Sequence, residues 1–556
     1  MNINYIRIIF FANISTINGL IKLRTLRLLI YGLPTILFIN ISCQSDFDKD
    51  RSNQVFRYNE HSDITSLDPA FARDQRNIWA VHQLYNTLVG LDEDLNIKPE
   101  IAKSWEISAD GKEYIFELRN DVYFHKSKIF GDNKLHLVNA YDVKYSLDRL
   151  QDEAIASPGS WVMKYVDTID IVNKHTLKIK LKSNFPAFLG ILSMKYCSII
   201  PEEVKSGDID FRSNPIGTGP FKFKRWIPQE KLVFRKNEQY FEKDSLGQQL
   251  PYLEAVAITF LPDKQSEFMQ FIQGNLDFMS GLDVSYKDEL LSADGKLKLK
   301  YQNSISIEKS PFLNTEYIGL FLGNSNLEIK NESLRKAVNY GFDRRKMIKY
   351  LRNGIGIPAE NGFIPKGLPG FQEIEGYNYQ PEKAKTYVQE YIQKTGNKNP
   401  EITITTNPSY LDLIGFIQSE LDEIGIKVNI DVLPPSTLRQ KRSSGQLEAF
   451  RASWIADYPD AQNYLSLFYS ANKSPNGPNY THFESKSYDS IYSMALLETD
   501  FEKRKVLYKR LDSLIIENAA IIPLFYDEVV RFRQNNIIGL GINPTNLLDL
   551  KTVRKR

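Results

Sequence analysis

The chain has 556 residues, 42% hydrophobic and 25% charged, with a net charge of +2. That length calls for two or more domains with ample core, and the near-neutral balance leaves no basic footprint for nucleic acid. Its 30 Tyr and 32 Phe can build cores, and they can also line pockets for ligands of mixed polarity.

The first 42 residues hold Arg7, Lys22, Arg24 and Arg27 and no acidic residue, so their removal would leave the remainder at −2. Lys22 to Arg27 reads as a basic region. Leu28 to Ile39 follows as a short apolar run, interrupted by Pro34, and then comes Asn40-Ile41-Ser42-Cys43. This is the pattern of an export signal, since about 20 apolar residues are needed to cross a bilayer. An uncleaved membrane anchor is the alternative. Cys43 after an apolar run and a small residue resembles the lipobox of bacterial lipoproteins, where the Cys is lipidated. Asn40 stands where that pattern usually has Leu. The acidic run Ser45 to Asp50 resembles a lipoprotein export tether. The one other cysteine is Cys197, in the run KYCSIIP. With Cys43 lipidated no intramolecular disulfide is possible, and Cys197 reads as a small buried hydrophobe.

From Phe56 onward there is no transmembrane run, repeat or long low-complexity segment. Glu113 to Arg119, EYIFELR, alternates with the period of a strand. Ala140 to Leu150 has helical spacing, with Val143 and Leu147 on one face. Gly217-Thr218-Gly219-Pro220 reads as a tight turn. It lacks the ending of a phosphate loop, and Pro220 removes an amide that such a loop would use. Glu332 to Leu351 predicts one amphipathic helix, ended by Gly354. Ile402 to Val432 predicts strand, helix, strand: ITITT, then a stripe of Leu413, Phe416, Ile417, Leu421 and Ile424 stopped by Gly425, then alternating Ile426, Val428, Ile430 and Val432. Those lengths make a βαβ crossover and a parallel pair, so the chain is α/β.

No catalytic constellation is visible. None of the six His pairs at helical spacing with an intervening acid, and two distant Cys give no zinc site. No G-x-S-x-G elbow is present. The expectation is no enzyme, no cofactor and no metal.

The chemistry concentrates in Phe450 to Leu465, FRASWIADYPDAQNYL. An apolar, aromatic run can bury charges only if something pairs with them. Arg451 and Asp457 are six positions apart, so on one extended strand they would face the same side. Such a strand could hold a small zwitterion, one charge for each end. The plainer reading is a half-buried strand with a surface ion pair.

Several segments, in order, resemble the bacterial extracellular solute-binding proteins of family 5, the peptide-, oligopeptide- and nickel-binding lipoproteins of ABC transporters. These are Leu67-Asp68-Pro69-Ala70 with Leu84 to Val89, Pro99 to His125, Ala140 to Leu150, Asn214 to Tyr240 with its G-T-G-P-F turn, Leu334 to Asp343, and Trp454 to Leu465. The family's usual F-H-D-G reads Phe124-His125-Lys126-Ser127 here. The resemblance implies a periplasmic-binding-protein-like two-lobe fold (type II, cluster C) with an extra inserted domain. Its expected bounds are signal peptide 1–42, acidic tether 43–54, discontinuous lobe I at 55–76, 198–305 and 525–556, extra domain 77–197 and lobe II 306–524.

The resemblance also implies roles. Asp457 falls where peptide binders hold the ligand α-ammonium, and Arg451 where oligopeptide members can take the carboxylate. Backbone groups at Ser453 and Ile455 would pair with a peptide as an added strand, and Trp454 would wall a side-chain pocket. Asp63 and Tyr526 match pocket-lining regions loosely. Dipeptide binders use an Arg near Asn407-Pro408-Ser409-Tyr410, and none stands there. The implied protein is a monomer, lipid-anchored at Cys43 in the periplasm or cell envelope, that passes short peptides to an inner-membrane ABC permease. A nickel chelate, haem-like molecule or oligosaccharide as ligand, a sensor or chaperone role, and a periplasmic enzyme are the alternatives.

Overall fold

The computed structural model describes residues 54–131, 134–206, 209–323 and 328–556. The expected export signal, Cys43 and all of the tether but Gln54 lie outside the described residues. Among the described residues no helix is long and apolar enough to cross a membrane.

Two long antiparallel strands, Ile305–Leu320 and Ile521–Gln534, form the spine. Their pairing runs from Ile305↔Gln534 to Gly319↔Ile521, with register breaks between Pro311 and Thr315 and between Glu316 and Tyr317. Pro311 has no N–H to give the ladder, which suits it to such a break. On the near side of the break the sheet continues through Phe278–Ser280, Val55–Asn59, Ala255–Thr259, Lys231–Lys236 and Phe221–Ile227. On the far side it continues through Ala449–Ile455, Glu401–Thr406 and Lys427–Val432. Each half has its own core. Phe56, Tyr58 and Phe234 pack with Trp79 and Leu84 in one. Leu320, Ile404, Ile417 and Ile522 pack in the other.

A separate antiparallel sheet runs Ala102–Ile107, Glu113–Leu118, Thr176–Leu181, Val166–Asn173. The alternation of EYIFELR puts Tyr114, Phe116 and Leu118 inward, where they share a core with Val143 and Leu147 of the helix Ala140–Asp148. That helix starts on a capping box between Asn139 and Asp142. Cys197 is buried in the same core, and burial pushes its thiol up to about 12.

Three expected bounds fall inside elements. The 76/77 boundary cuts the helix Gln75–Leu84, whose buried face packs with the large sheet. The 305/306 and 524/525 boundaries fall within the two long strands, which belong to both halves. The helix expected over 332–351 is two helices, Glu332–Tyr340 and Arg344–Leu351. Gly341 ends the first, and the Asp343 carboxylate accepts from the Arg345 and Lys346 amides to start the second.

The crossover at 402–432 forms as read. Glu401–Thr406 and Lys427–Val432 pair in parallel, with Ile404 opposite Ile430, and the helix Leu411–Asp422 lies between them in sequence. The Gly217–Gly219 turn is a packing device. A Cβ at Gly217 would stand 2.0 Å from the Leu84 carbonyl oxygen. The buried His125 clamps the turn: its amide donates to the Gly217 carbonyl at 2.7 Å, and its Nε2 lies 3.1 Å from the Gly219 carbonyl.

Candidate functional site

The strand Ala449–Ile455 pairs along its whole length with Asn314–Leu320. On its other side it meets Glu401–Thr406 only at Ala449 and Phe450. Past Phe450 that edge is open. The Phe321 amide donates to the Glu448 carbonyl and the Ala456 amide to the Leu313 carbonyl. Backbone groups alternate sides along a strand, so those of Arg451, Ser453 and Ile455 face the open edge.

The strand ends at Ile455, and Asp457 stands in the turn beyond it. Arg451 and Asp457 therefore do not share the face of one strand. Asp-Tyr-Pro-Asp makes the turn, and Asp460 anchors it. Its carboxylate is buried, accepts from the Gln462 amide at 2.9 Å and the Tyr508 hydroxyl at 2.6 Å, and pairs with Arg504 Nη2 at 3.1 Å. A charge can be enclosed this way because a cation and two further donors meet its oxygens.

Asn463, in the short helix Gln462–Leu465, organises the open side. Its Oδ1 accepts from Trp454 Nε1 at 2.8 Å and from the Asp457 amide at 3.3 Å. Its Nδ2 donates to Asp457 Oδ2 at 3.1 Å. One amide thus fixes both the carboxylate and the indole beside it. Asp457 is open to a cleft of about 670 Å³. Trp454, Tyr469 and Tyr492 line one wall, and Trp161, Tyr165 and Phe185 line the other. The second wall comes from the region of the four-stranded sheet. Tyr458 closes onto it, with ring centroids 6.2 Å from Trp161 and 6.4 Å from Phe185, and Asn184 Nδ2 donates to the Leu497 carbonyl at 3.0 Å. Although the carboxylate of Asp457 touches solvent, protein crowds its other sides. That crowding holds its carboxyl above the usual range, against the opposing Asn463 hydrogen bond. Among the described residues no cation forms an ion pair with it.

Arg451 is already occupied. Its guanidinium pairs with the buried Glu316 and stacks on Tyr410, 3.3 Å from the ring centroid. Burial raises the Glu316 carboxyl, and the Arg451 charge opposes that rise. Asn314 Nδ2 donates to Glu316 at 3.2 Å and to Asp527 at 3.4 Å, and Asp527 pairs with Arg352. This network sits where the two long strands break register. Asp63 and Tyr526 lie elsewhere. Asp63 accepts from Trp226 Nε1 at 3.1 Å and the Gln229 amide at 3.0 Å. Buried Tyr526 donates its hydroxyl to the Gly362 carbonyl at 2.9 Å. Neither lines the cleft.

The family model of bacterial extracellular solute-binding proteins, family 5 Middle, matches residues 96–476. The chain belongs to this family. Among curated relatives, the glutathione-binding protein GsiB of Salmonella choleraesuis is 26% identical over 490 residues, 87% of this chain and 91% of that protein. Heme-binding protein A of Haemophilus influenzae is 28% identical over 499 residues, 86% of this chain and 88% of that protein. Among solved structures, DppA from Helicobacter pylori, in complex with the peptide STSA, superposes with a TM-score of 0.74 at 26% identity. It covers 92% of this chain and 100% of that one. HbpA2 from Haemophilus parasuis superposes with a TM-score of 0.78 at 23% identity over 90% of this chain and 100% of that one. The fold is thus the two-lobe, mixed α/β fold of the family's periplasmic binding proteins. The two halves of the large sheet, joined by the two long strands, carry it.

Proposed function

We propose that the protein captures short peptides in the Asp457 cleft and delivers them to an ABC permease while tethered to a membrane by lipid at Cys43. One observation carries the reading: an unpaired carboxylate beside an open strand edge, inside an aromatic cleft. A peptide α-ammonium supplies the missing cation for Asp457. Its main chain can pair with the free backbone groups of Ser453 and Ile455, and Trp454 walls the first side chain. Enclosure would strengthen the ammonium–carboxylate attraction, since less water screens it. The peptide named with the H. pylori neighbour and the glutathione named for GsiB support a ligand with a free amine.

Arg451 has a conditional part. A ligand carboxylate would reach it only by displacing Glu316, so the amine end carries the binding and Arg451 stays with the frame. Asp63 and Tyr526, both engaged with protein partners outside the cleft, would act through the frame.

The test is to purify residues 44–556, release bound material by denaturation and identify it by mass spectrometry. Calorimetry on the emptied protein follows, with peptides, haem, oligosaccharides and nickel chelates as separate titrants. The expected result is a recovered peptide that rebinds with one-to-one stoichiometry. Saturable haem, sugar or chelate binding without peptide binding would overturn the reading.

A further inference from the structure

Away from the residues that line the cleft, three metal-ligating side chains converge. His136 lies just before the helix Ala140–Asp148, Asp142 in its first turn, and Glu203 in the turn Glu202–Ser206. One ligand atom from each lies within 4.8 Å of the other two. His136 Nε2 stands 3.6 Å from Asp142 Oδ2, and Nδ1 stands 3.4 Å from Glu203 Oε1. None of the three lines the Asp457 cleft.

Four features distinguish this cluster from an ordinary ion pair. One ring nitrogen serves one ion, and one nitrogen of His136 and one carboxylate oxygen of each acid lie within 4.8 Å of one another, so small side-chain shifts bring them to the spacing of about 3.4 Å that a tetrahedral metal needs. Two of the atoms are under-satisfied: Glu203 Oε2 is buried with no hydrogen-bond partner, and buried His136 Nε2 has only Asp142 Oδ2, at 3.6 Å. Buried polar atoms rarely stay unpaired in native proteins. The third group is pre-oriented. Fully buried Asp142 accepts from the Asn139 amide at 2.9 Å and from the Glu202 amide at 3.0 Å, the kind of outer hydrogen bonds that steer a metal ligand. The His136 ring is held too, stacked on Phe130 with centroids 4.6 Å apart. Finally, among the described residues no Lys or Arg forms an ion pair with Asp142 or Glu203. Two carboxylates facing one imidazole leave a net negative charge even when the ring carries a proton, and a divalent ion would balance it.

We propose that His136, Asp142 and Glu203 form a three-ligand site for a divalent transition ion of the zinc class. One imidazole and two carboxylates suit that class and leave a position for water or a fourth ligand. His136 and Asp142 belong to the four-stranded-sheet region, and Glu203 lies on the segment that leads from it into the large sheet. The ion staples the two together, so it acts on stability and leaves the cleft's ligand chemistry alone.

The test uses purified protein stripped with a chelator, then titrated with zinc chloride by calorimetry and followed by thermal unfolding. The expected result is one saturable equivalent and a melting temperature that rises with free zinc. Glu203→Gln, at a half-exposed side chain, is expected to melt with the metal-free parent and to bind zinc at least tenfold more weakly. His136→Gln gives a second variant with the same expectation for zinc. No saturable binding, or zinc affinity in both variants equal to the parent's, overturns the site. A zinc-edge anomalous peak at the three side chains supports it, and one located only elsewhere overturns it.

Discussion

Arg451, near the start of the strand Ala449–Ile455, is enclosed: Glu316 pairs with it, Tyr410 covers it, and Glu316 is itself buried. Asp457, two residues past the strand's end, has among the described residues a single side-chain hydrogen bond, from Asn463, and no cation. The two charges lie in one short segment, but their circumstances are opposite. A buried charge with its partner in place belongs to the frame, because removing either member strands the other. A carboxylate held in a crowded cleft without a cation is an unfilled demand. Pairing separates frame from site here better than charge or position in sequence does.

The sharpest way to break this comparison is to remove Arg451. Arg451→Ala leaves Glu316 buried without its cation, and denaturant unfolding should record a loss of about 3–5 kcal/mol. Peptide affinity of the folded fraction should hold. A collapse of affinity with stability intact would make Arg451 a ligand group and reverse its assignment. Asp457→Ala should do the opposite. Calorimetry should show peptide affinity reduced by about 2–5 kcal/mol, as for truncation of one partner in an enclosed charge pair, with unfolding unchanged.

Asn463→Ala sharpens the comparison at smaller scale. It frees both the Asp457 carboxylate and the Trp454 indole, and should weaken peptide binding by about 1–2 kcal/mol. Its effect should shrink when Asp457 is already alanine, because the residues act as one unit. The smallest effect is in pH. Crowding holds the Asp457 carboxyl above the ordinary Asp range. An ammonium ligand needs it ionised, so affinity should fall on acidification at a higher pH than an ordinary Asp would give. For the empty protein the sign is opposite. A carboxyl raised on folding binds protons more readily folded than unfolded, so its contribution to stability grows as pH falls through the raised value. Asp457→Asn should remove both trends.

The sequence carried some of this and could not carry the rest. Alternation in EYIFELR and the stripe from Leu413 to Ile424 are local patterns, and they form as read. The break between the two helices over 332–351 was also local, in Gly341 and the capping Asp343, but the amphipathic period runs across it and hides it. The end of the site strand was signalled by Tyr458-Pro459-Asp460, and Asn463 stood in the same stretch. Glu316 is 135 residues from Arg451, and nothing in the local sequence links them. The same holds for Trp161, Tyr165 and Phe185. They face Asp457 only because the four-stranded-sheet region folds against the turn at Tyr458.

The central claim is that Asp457 holds a ligand amine. The measurement that tests it most directly is a calorimetric cycle. The peptide recovered with the protein, in free and N-acetylated forms, is titrated into the parent and into Asp457→Ala. Acetylation should weaken binding to the parent about as much as the mutation does, and should have little further effect on the variant. Equal binding of the free and acetylated peptide by the parent would contradict the claim.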